Sequence, residues 1–490
     1  NDCQIIDDTY NNDLGGIEVA LAFMDQQNTD LKKTAIISDI LQSGMVETEL
    51  YGKLNNLLSE YNVSKLIGIG EAISKNKNLF NIPITCHSTT DEFILQLPHS
   101  HFEKELILVK GARIHQFEKI VHQLAQKIHG TVLEINLNAI TRNLNYYQSK
   151  LRPNTKIMVM VKAFAYGSGS NEVANLLQHH KVDYLGVAYT DEGVELRKNG
   201  IHLPIMVMNP SIESFDKIDE FNLEPEIYNF SILDELLIFA KNKTVGIHLK
   251  LDTGMRRLGF ESADIGKLIT ILKEHPNIVI KSIFTHLAGA DETIHNEFSM
   301  QQFELFEKNV LQIKNALDIS PLLHAVNSAG IIRFPDHHLD MVRLGIGLYG
   351  VDANKIAQND LEPISSLKTV ISQIKHISKG ETIGYGRTGV AINDMKIATI
   401  AIGYADGFNR KFGNGVGFVK VNGAKAPTVG NVCMDMTMVD VTNLDINEGD
   451  EVEIFGKDIS ITEMANEIGT IPYEILTSVS NRVKRIFYLD

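Results

Sequence analysis

Residues 156–169 read KIMVMVKAFAYGSG, an apolar strand that delivers Lys162 and then Tyr166. A run with no polar alternation marks a strand buried on both faces, as in parallel sheets covered by helices. The pattern recurs downstream in VDYLGVAY (182–189), LPIMVMN (203–209), LEPEIYN (223–229) and VGIHLKLDT (245–253). VIKSIFTHL (279–287), LLHAVNS (322–328) and MVRLGIGLYG (341–350) complete the set. Helix-spaced segments such as EVANLLQHH and FDKIDEFN separate most of them. Eight strands in this arrangement predict a (β/α)8 barrel of TIM type, with its chemistry at the strands' C-terminal ends.

The flanks differ in texture. Upstream, CQIIDDTY, TAIISDI, KLIGIG, IPITCHS and ELILVKGA alternate with helical patterns such as IEVALAFMDQQ, which predicts a Rossmann-like α/β domain over residues 1–130. Downstream, KIATIAIGY, GFVKVNG, APTVGNVCMDMTMVDV and DEVEIFG are short β segments, predicting an all-β domain over residues 365–490. The barrel then spans residues 131–364. The total of 490 residues fits about three domains, and with no linker between them the domains are expected to abut.

Composition excludes several classes of function. A net charge of −15, from 46 Lys+Arg against 61 Asp+Glu, argues against a nucleic-acid binder, which needs surplus cations for phosphates. No apolar run approaches the ~20 residues of a membrane helix, so no membrane partner is expected. Cys3, Cys86 and Cys433 are too few and too scattered for a disulfide framework, which points to a reducing, cytoplasmic setting. The pairs His99/His101, His179/His180 and His337/His338 lack zinc-ligand spacing and read as surface residues, so no metal is expected. The first residue is Asn1, with neither Met nor a signal segment, so the chain reads as a piece of something longer.

Polar groups collect where the barrel would open. Lys162, Tyr166, Lys250, Asp252, Arg257, His286, Asn327, Ser328, Arg343 and Gly345 all fall at strand ends. Singly, Asp252 reads as a cap, His286 as a core histidine and Arg343 as half of an ion pair. Together they make a cationic mouth in an acidic protein. That mouth suits an anion such as a phosphate, with Ser328 and the backbone N–H groups near Gly345 as donors.

VKAFAYGSG, HLKLDTGMRRLG, FTHLAGADE, NSAG, VRLGIGLYG, GYGRTG, GYADGF and VCMDM occur in this order. The chain resembles alanine racemase, a fold type III pyridoxal-phosphate enzyme, from about Thr131 to its end. The resemblance implies an isomerase that interconverts L-alanine and D-alanine for bacterial cell-wall peptidoglycan, by a two-base mechanism. It implies that Lys162 is the Schiff-base lysine and base on one face, and that Tyr385 is the base on the other, reaching the active site of a partner subunit in a homodimer. It assigns His286 to hydrogen-bond that tyrosine, and Tyr166, Ser328, Gly345 and Ile346 to the phosphate. Arg343 would face the pyridine nitrogen. A guanidinium cannot accept a proton there, which shortens the life of the carbanion and favours racemisation over transamination. Arg257 would bind the substrate carboxylate, and Met434, Asp435 and Tyr404 would complete the partner's substrate pocket. Lys250 matches a position carbamylated in many relatives, where the carbamate orients Arg257.

Two positions depart from the family pattern. Asn481 stands where many relatives have a tyrosine at the phosphate and inner gate, and Asn431 where an arginine is common in the entry corridor. These changes keep open a racemase of broader amino-acid specificity. A related barrel enzyme such as a decarboxylase is disfavoured by Arg343, and a silent carrier by intact Lys162 and Tyr385.

IIDDTYNND (5–13) and ILVKGAR (107–113) are similar to motifs of the third domain of Mur ligases, closest to the enzyme that adds D-alanyl-D-alanine to the muramoyl tripeptide. No G-x-x-x-x-G-K-[ST] loop for ATP occurs in the chain. The resemblance therefore implies a fragment of a bifunctional ligase–racemase fusion, without ligase activity of its own. Asp7, Asp8 and Lys110 equally read as residues that end strands and cap helices.

Overall fold

The computed structural model describes residues 3–9, 12–27, 31–41, 44–97, 102–124 and 130–489. These form two compact units, residues 139–363 and residues 1–138 together with 364–490.

The second unit begins with strands β1 (Gln4–Asp8), β2 (Lys32–Ser38), β3 (Lys65–Ile69), β4 (Ile84–His87) and β5 (Glu105–Lys110). They pair in parallel in the order β4-β3-β2-β5-β1. The expected helix follows β1 as Leu14–Gln26, with the Asp13 carboxylate accepting the Gly16 N–H at 2.8 Å as its cap. Its buried residues Ile17, Ala20, Leu21 and Met24 have helical spacing. Strand β6 (Val132–Asn136) links this half to the β half. Strand Lys484–Tyr488 pairs in parallel with both β1 (Ile6 opposite Phe487) and β6 (Ile486 opposite Glu134). The long strand Ser365–Ile377 pairs antiparallel with β6. One 13-stranded sheet therefore runs through both halves. The all-β expectation gains two short helices, Ile461–Ile468 and Pro472–Ser478.

The other unit carries the eight expected strands: β7 (Lys156–Met160), β8 (Tyr184–Val187), β9 (Ile205–Val207), β10 (Glu224–Ile227), β11 (Val245–Lys250), β12 (Ile278–Phe284), β13 (Leu322–His324) and β14 (Met341–Leu344). They pair in parallel in sequence order, and β14 returns to β7 with Arg343 opposite Met158. Three bonds bridge the β13–β14 seam. Arg343 N–H donates to Val326 C=O at 3.1 Å, Asp340 N–H to Leu323 C=O at 3.1 Å, and Leu323 N–H to Asp340 Oδ2 at 2.9 Å. After β14, a Cβ on Gly347 would lie 2.3 Å from Tyr147 Oη, so that close approach requires glycine.

One histidine reading changes. His338 is fully buried, with Nε2 2.8 Å from Ile331 C=O, and His337 stacks on Phe303. The chain turns inward after helix Ser328–Arg333, which composition does not reveal. His99 and His101 lie outside the described residues.

Candidate active site at the barrel mouth

The chain leaves β7 in an unusual conformation. Ala163, Phe164, Ala165 and Tyr166 have φ of 53°, 56°, 50° and 53°, one left-handed turn built from residues with side chains. Each such residue costs about 1–2 kcal/mol, and conformations of this kind concentrate at functional sites. The turn is held by Ala165 N–H to Val161 C=O (3.0 Å), Gly167 N–H to Ala163 C=O (2.9 Å) and Ala163 N–H to Glu192 Oε1 (2.7 Å). It sets Lys162 at the barrel mouth. Burial, then the Arg257 charge, lowers the pKa of its ammonium, favouring the neutral amine that a base requires.

Tyr166, at the end of the turn, packs its ring on Tyr349 at 4.5 Å. Opposite, Asn327 caps helix Ser328–Arg333 by accepting Gly330 N–H at 2.9 Å. This places Ser328 Oγ to accept Gly345 N–H at 2.8 Å and Gly347 N–H at 3.2 Å. A Cβ on Gly345 would stand 3.1 Å from Tyr166 Oη and 3.7 Å from Ser328 Oγ. Two hydroxyls and the Gly345–Gly347 backbone thus converge where a side chain is missing. Ile346 is buried at the start of the adjoining 3-10 turn. This donor set fits a phosphate.

Arg343 is buried on β14, and burial lowers its pKa only to about 10, so it stays a cation at neutral pH. Its Nη2 donates to Thr285 C=O (2.7 Å) and Ala325 C=O (2.9 Å), and its Nη1 to His324 Nδ1 (2.7 Å). Burial keeps His324 neutral, so its proton lies on Nε2, 2.8 Å from Ser282 Oγ. The Ser282 hydroxyl then donates to His248 Nδ1 at 2.6 Å, and His248 Nε2–H to Glu224 Oε2 at 2.9 Å. Guanidinium at one end and carboxylate at the other fix every donor in the series. Burial pushes the Glu224 carboxyl up, but the His248 hydrogen bond, the Lys281 charge and the Tyr184 hydrogen bond outweigh it and hold it low. His286 is kept neutral by burial and then by the charges of Arg343, Lys250, Arg257 and Lys162.

Lys250, at the end of β11, meets a residue that sequence reasoning missed: Glu226 of β10 lies 3.0 Å from its Nζ. The signal was present, since LEPEIYN places a carboxylate inside a buried strand. Arg257 is exposed on the following loop. Asp252 holds that loop by accepting N–H bonds from Gly254 (2.8 Å) and Arg256 (3.1 Å), a turn-capping role. Buried Gln302, also missed, accepts Ala288 N–H at 2.9 Å and donates to Thr253 Oγ1 and His286 C=O.

The family model for the alanine racemase N-terminal domain matches residues 135–353, and that for its C-terminal domain matches residues 364–487. The chain belongs to the alanine racemase family. The alanine racemase of Methanococcus maripaludis is 39% identical over 373 residues, covering 73% of this chain and 99% of that one. Among solved structures, the alanine racemase of Clostridium difficile 630 is 36% identical with a TM-score of 0.68, covering 74% of this chain and 96% of that one. That of Bartonella henselae, with covalently bound pyridoxal phosphate, is 30% identical with a TM-score of 0.68, covering 73% and 99%.

The alanine racemase C-terminal region carries the remaining expected site residues. Tyr385 is 73% exposed on the 3-10 turn Tyr385–Arg387. Its carbonyl accepts from Asn431 Nδ2 at 2.9 Å, and Asn431 Oδ1 accepts from Asn414 at 3.0 Å, so Asn431 steadies the tyrosine's turn. Tyr404 and Met434 are also exposed. Arg482 clamps Asp435 and Asp406, each at 2.7 Å. Asn481 is exposed beside it.

Proposed function

We propose that this alanine racemase interconverts L- and D-alanine with pyridoxal phosphate, exchanging the Cα proton between Lys162 and Tyr385. The observation that carries the reading is the convergence of Lys162, the Tyr166–Ser328–Gly345 cradle and the Arg343 relay on one barrel mouth. Lys162 would hold the cofactor through Nζ. Tyr166, Ser328 and the N–H groups of Gly345 and Ile346 would hold its phosphate, and Arg343 its ring nitrogen. Bound there, the cofactor supplies a sink for the electron pair left when the Cα proton departs. Arg257 binds the substrate carboxylate. Lys162 Nζ takes or returns the proton on one face and Tyr385 Oη on the other, with neutral His286 as the tyrosine's partner. Measuring Cα exchange from each enantiomer in deuterated water tests this. Exchange from both supports it, and none from either overturns it.

The working unit in this reading is a homodimer that shares its sites between subunits. The exposure of Tyr385, Tyr404 and Met434 supports it, because catalytic groups facing outward from one chain are expected to be completed by another. Mixing Lys162→Ala with Tyr385→Phe chains should then restore activity. Asn431 and Asn481 keep a broader-specificity racemase as the second reading, which relative turnover of alanine, serine and lysine separates. Its setting is the cytoplasm, supported by a cysteine count of three, scattered at Cys3, Cys86 and Cys433.

Residues 1–130 fit the C-terminal domain of a D-alanyl-D-alanine-adding Mur ligase, a remnant within a ligase–racemase fusion that is inactive alone. The division is then 1–130, 131–364 and 365–490. In support, the two quoted motifs meet on paired strands β1 and β5, where Asp8 and Lys110 lie 2.6 Å apart. An ATP-dependent ligation assay on this chain should read zero.

A further inference from the structure

The left-handed turn Ala163–Tyr166 is built from residues that disfavour it, so a group outside the turn is needed to hold it. Two of its bonds, Ala165 N–H to Val161 C=O and Gly167 N–H to Ala163 C=O, close within residues 161–167. Ala163 N–H instead crosses to Glu192 Oε1 at 2.7 Å. Glu192 stands on helix Thr190–Lys198 after β8, and that helix is firmly seated. Thr190 Oγ1 donates to Ser214 Oγ at 2.9 Å, and Gly193, Val194 and Leu196 are buried. The second oxygen, Oε2, accepts Ala188 N–H at 2.7 Å and Tyr189 N–H at 3.2 Å, where β8 runs into the helix. One carboxylate thus ties the residue after Lys162 to the end of the neighbouring strand.

A glutamate suits this double task because both of its oxygens accept. Glutamine would turn an NH2 group toward one set of N–H donors, and aspartate is one carbon too short to reach both sets. The charge alone does not explain the choice. Glu192 raises the Lys162 pKa that burial, and then Arg257, lower, which works against the neutral amine a base requires. What Glu192 contributes is position.

We propose that Glu192 is a positioning residue for Lys162, a clamp that holds the left-handed turn and so fixes where Nζ stands to bind the cofactor. The proposal rests on the reading of Lys162 as the residue that holds pyridoxal phosphate. A mere helix cap would affect stability and leave the Lys162 site unchanged. A clamp, once lost, lets the turn relax away from its working form. Glycine at position 163, which adopts positive φ without strain, should then bring that form back.

The test follows pyridoxal phosphate binding to the purified full chain, read as the absorbance of the lysine-bound cofactor. Glu192→Gln should weaken binding about tenfold or more. Adding Ala163→Gly to that variant should recover roughly threefold or more, while Ala163→Gly alone stays within about twofold of wild type. Glu192→Asp, which keeps the charge but not the reach, should bind as poorly as Glu192→Gln, and it takes that variant's place if the glutamine chain does not fold. Wild-type affinity in either Glu192 variant overturns the proposal. So does a double variant that binds no better than Glu192→Gln, because glycine at 163 cannot repair a lost helix cap. Failure of the underlying reading would appear in the wild-type chain itself, as no absorbance from a lysine-bound cofactor.

Discussion

Two buried lysine–carboxylate pairs occupy corresponding places in the two units, each bridging neighbouring parallel strands near their C-terminal ends. Asp8 and Lys110 join β1 to β5 at 2.6 Å, and Glu226 and Lys250 join β10 to β11 at 3.0 Å. The first pair meets within the sheet of an α/β layer, and Lys110 pulls down the Asp8 pKa that burial raises. The second sits among further cations and leaves an oxygen open. Chemically similar pairs thus serve different ends. The first pair ties neighbouring strands together, whereas burial pushes the Glu226 carboxyl of the second up to about 7 against the charges of Lys250, Arg343 and Arg257.

That contrast can be broken experimentally. The largest expected effect is on chemistry: Lys162→Ala, beside the open pair, should lower racemisation about 10^4-fold while leaving the unfolding midpoint near wild type. A variant that keeps substantial activity would remove the barrel mouth as the catalytic centre. Next, Lys110→Met strands Asp8 in the interior and should destabilise the unit that holds it by about 3–5 kcal/mol in urea titrations. Its kcat should stay unchanged once folded, so a parallel fall in kcat would show that the two pairs are coupled.

A smaller effect separates Asp7 from its neighbour. Burial raises the Asp7 carboxyl from 3.8 to about 7, so the folded state binds this proton more tightly than the unfolded chain. The group therefore favours folding at low pH and loses that contribution as pH rises through 7. Asp7→Asn should stabilise by about 1–2 kcal/mol at pH 8 and by less at pH 5. The opposite pH trend would refute the burial argument. Smallest of all, Ala163→Gly should stabilise by about 0.5–1 kcal/mol, since relief of left-handed strain slightly exceeds glycine's added unfolded-state entropy.

The eight barrel strands were legible because burial on two faces leaves uninterrupted apolar runs, and Lys162 and Arg343 because they end such runs. Glu226 was not, because its partner lies 24 positions later and only the β10–β11 register, Glu226 opposite His248, brings them together. The pairing of Lys484–Tyr488 with β1 was equally hidden, being a contact between opposite ends of the chain with no local signature. The His338 burial depended on where a loop turns. The turn after Lys162 also escaped notice, for its alanines and phenylalanine carry none of the usual markers of positive φ.

That turn bears on how the protein comes to life. Residues 163–166 oppose their own local preference by about 4–8 kcal/mol in total, so the segment cannot act as a nucleus. It can be held only after β7 has neighbours and Glu192 is in place to receive the Ala163 N–H. Lys162 should accordingly be among the last side chains set during folding. In refolding experiments, cofactor-binding competence should trail the recovery of helical circular dichroism, leaving an interval in which the chain is built but not yet an enzyme.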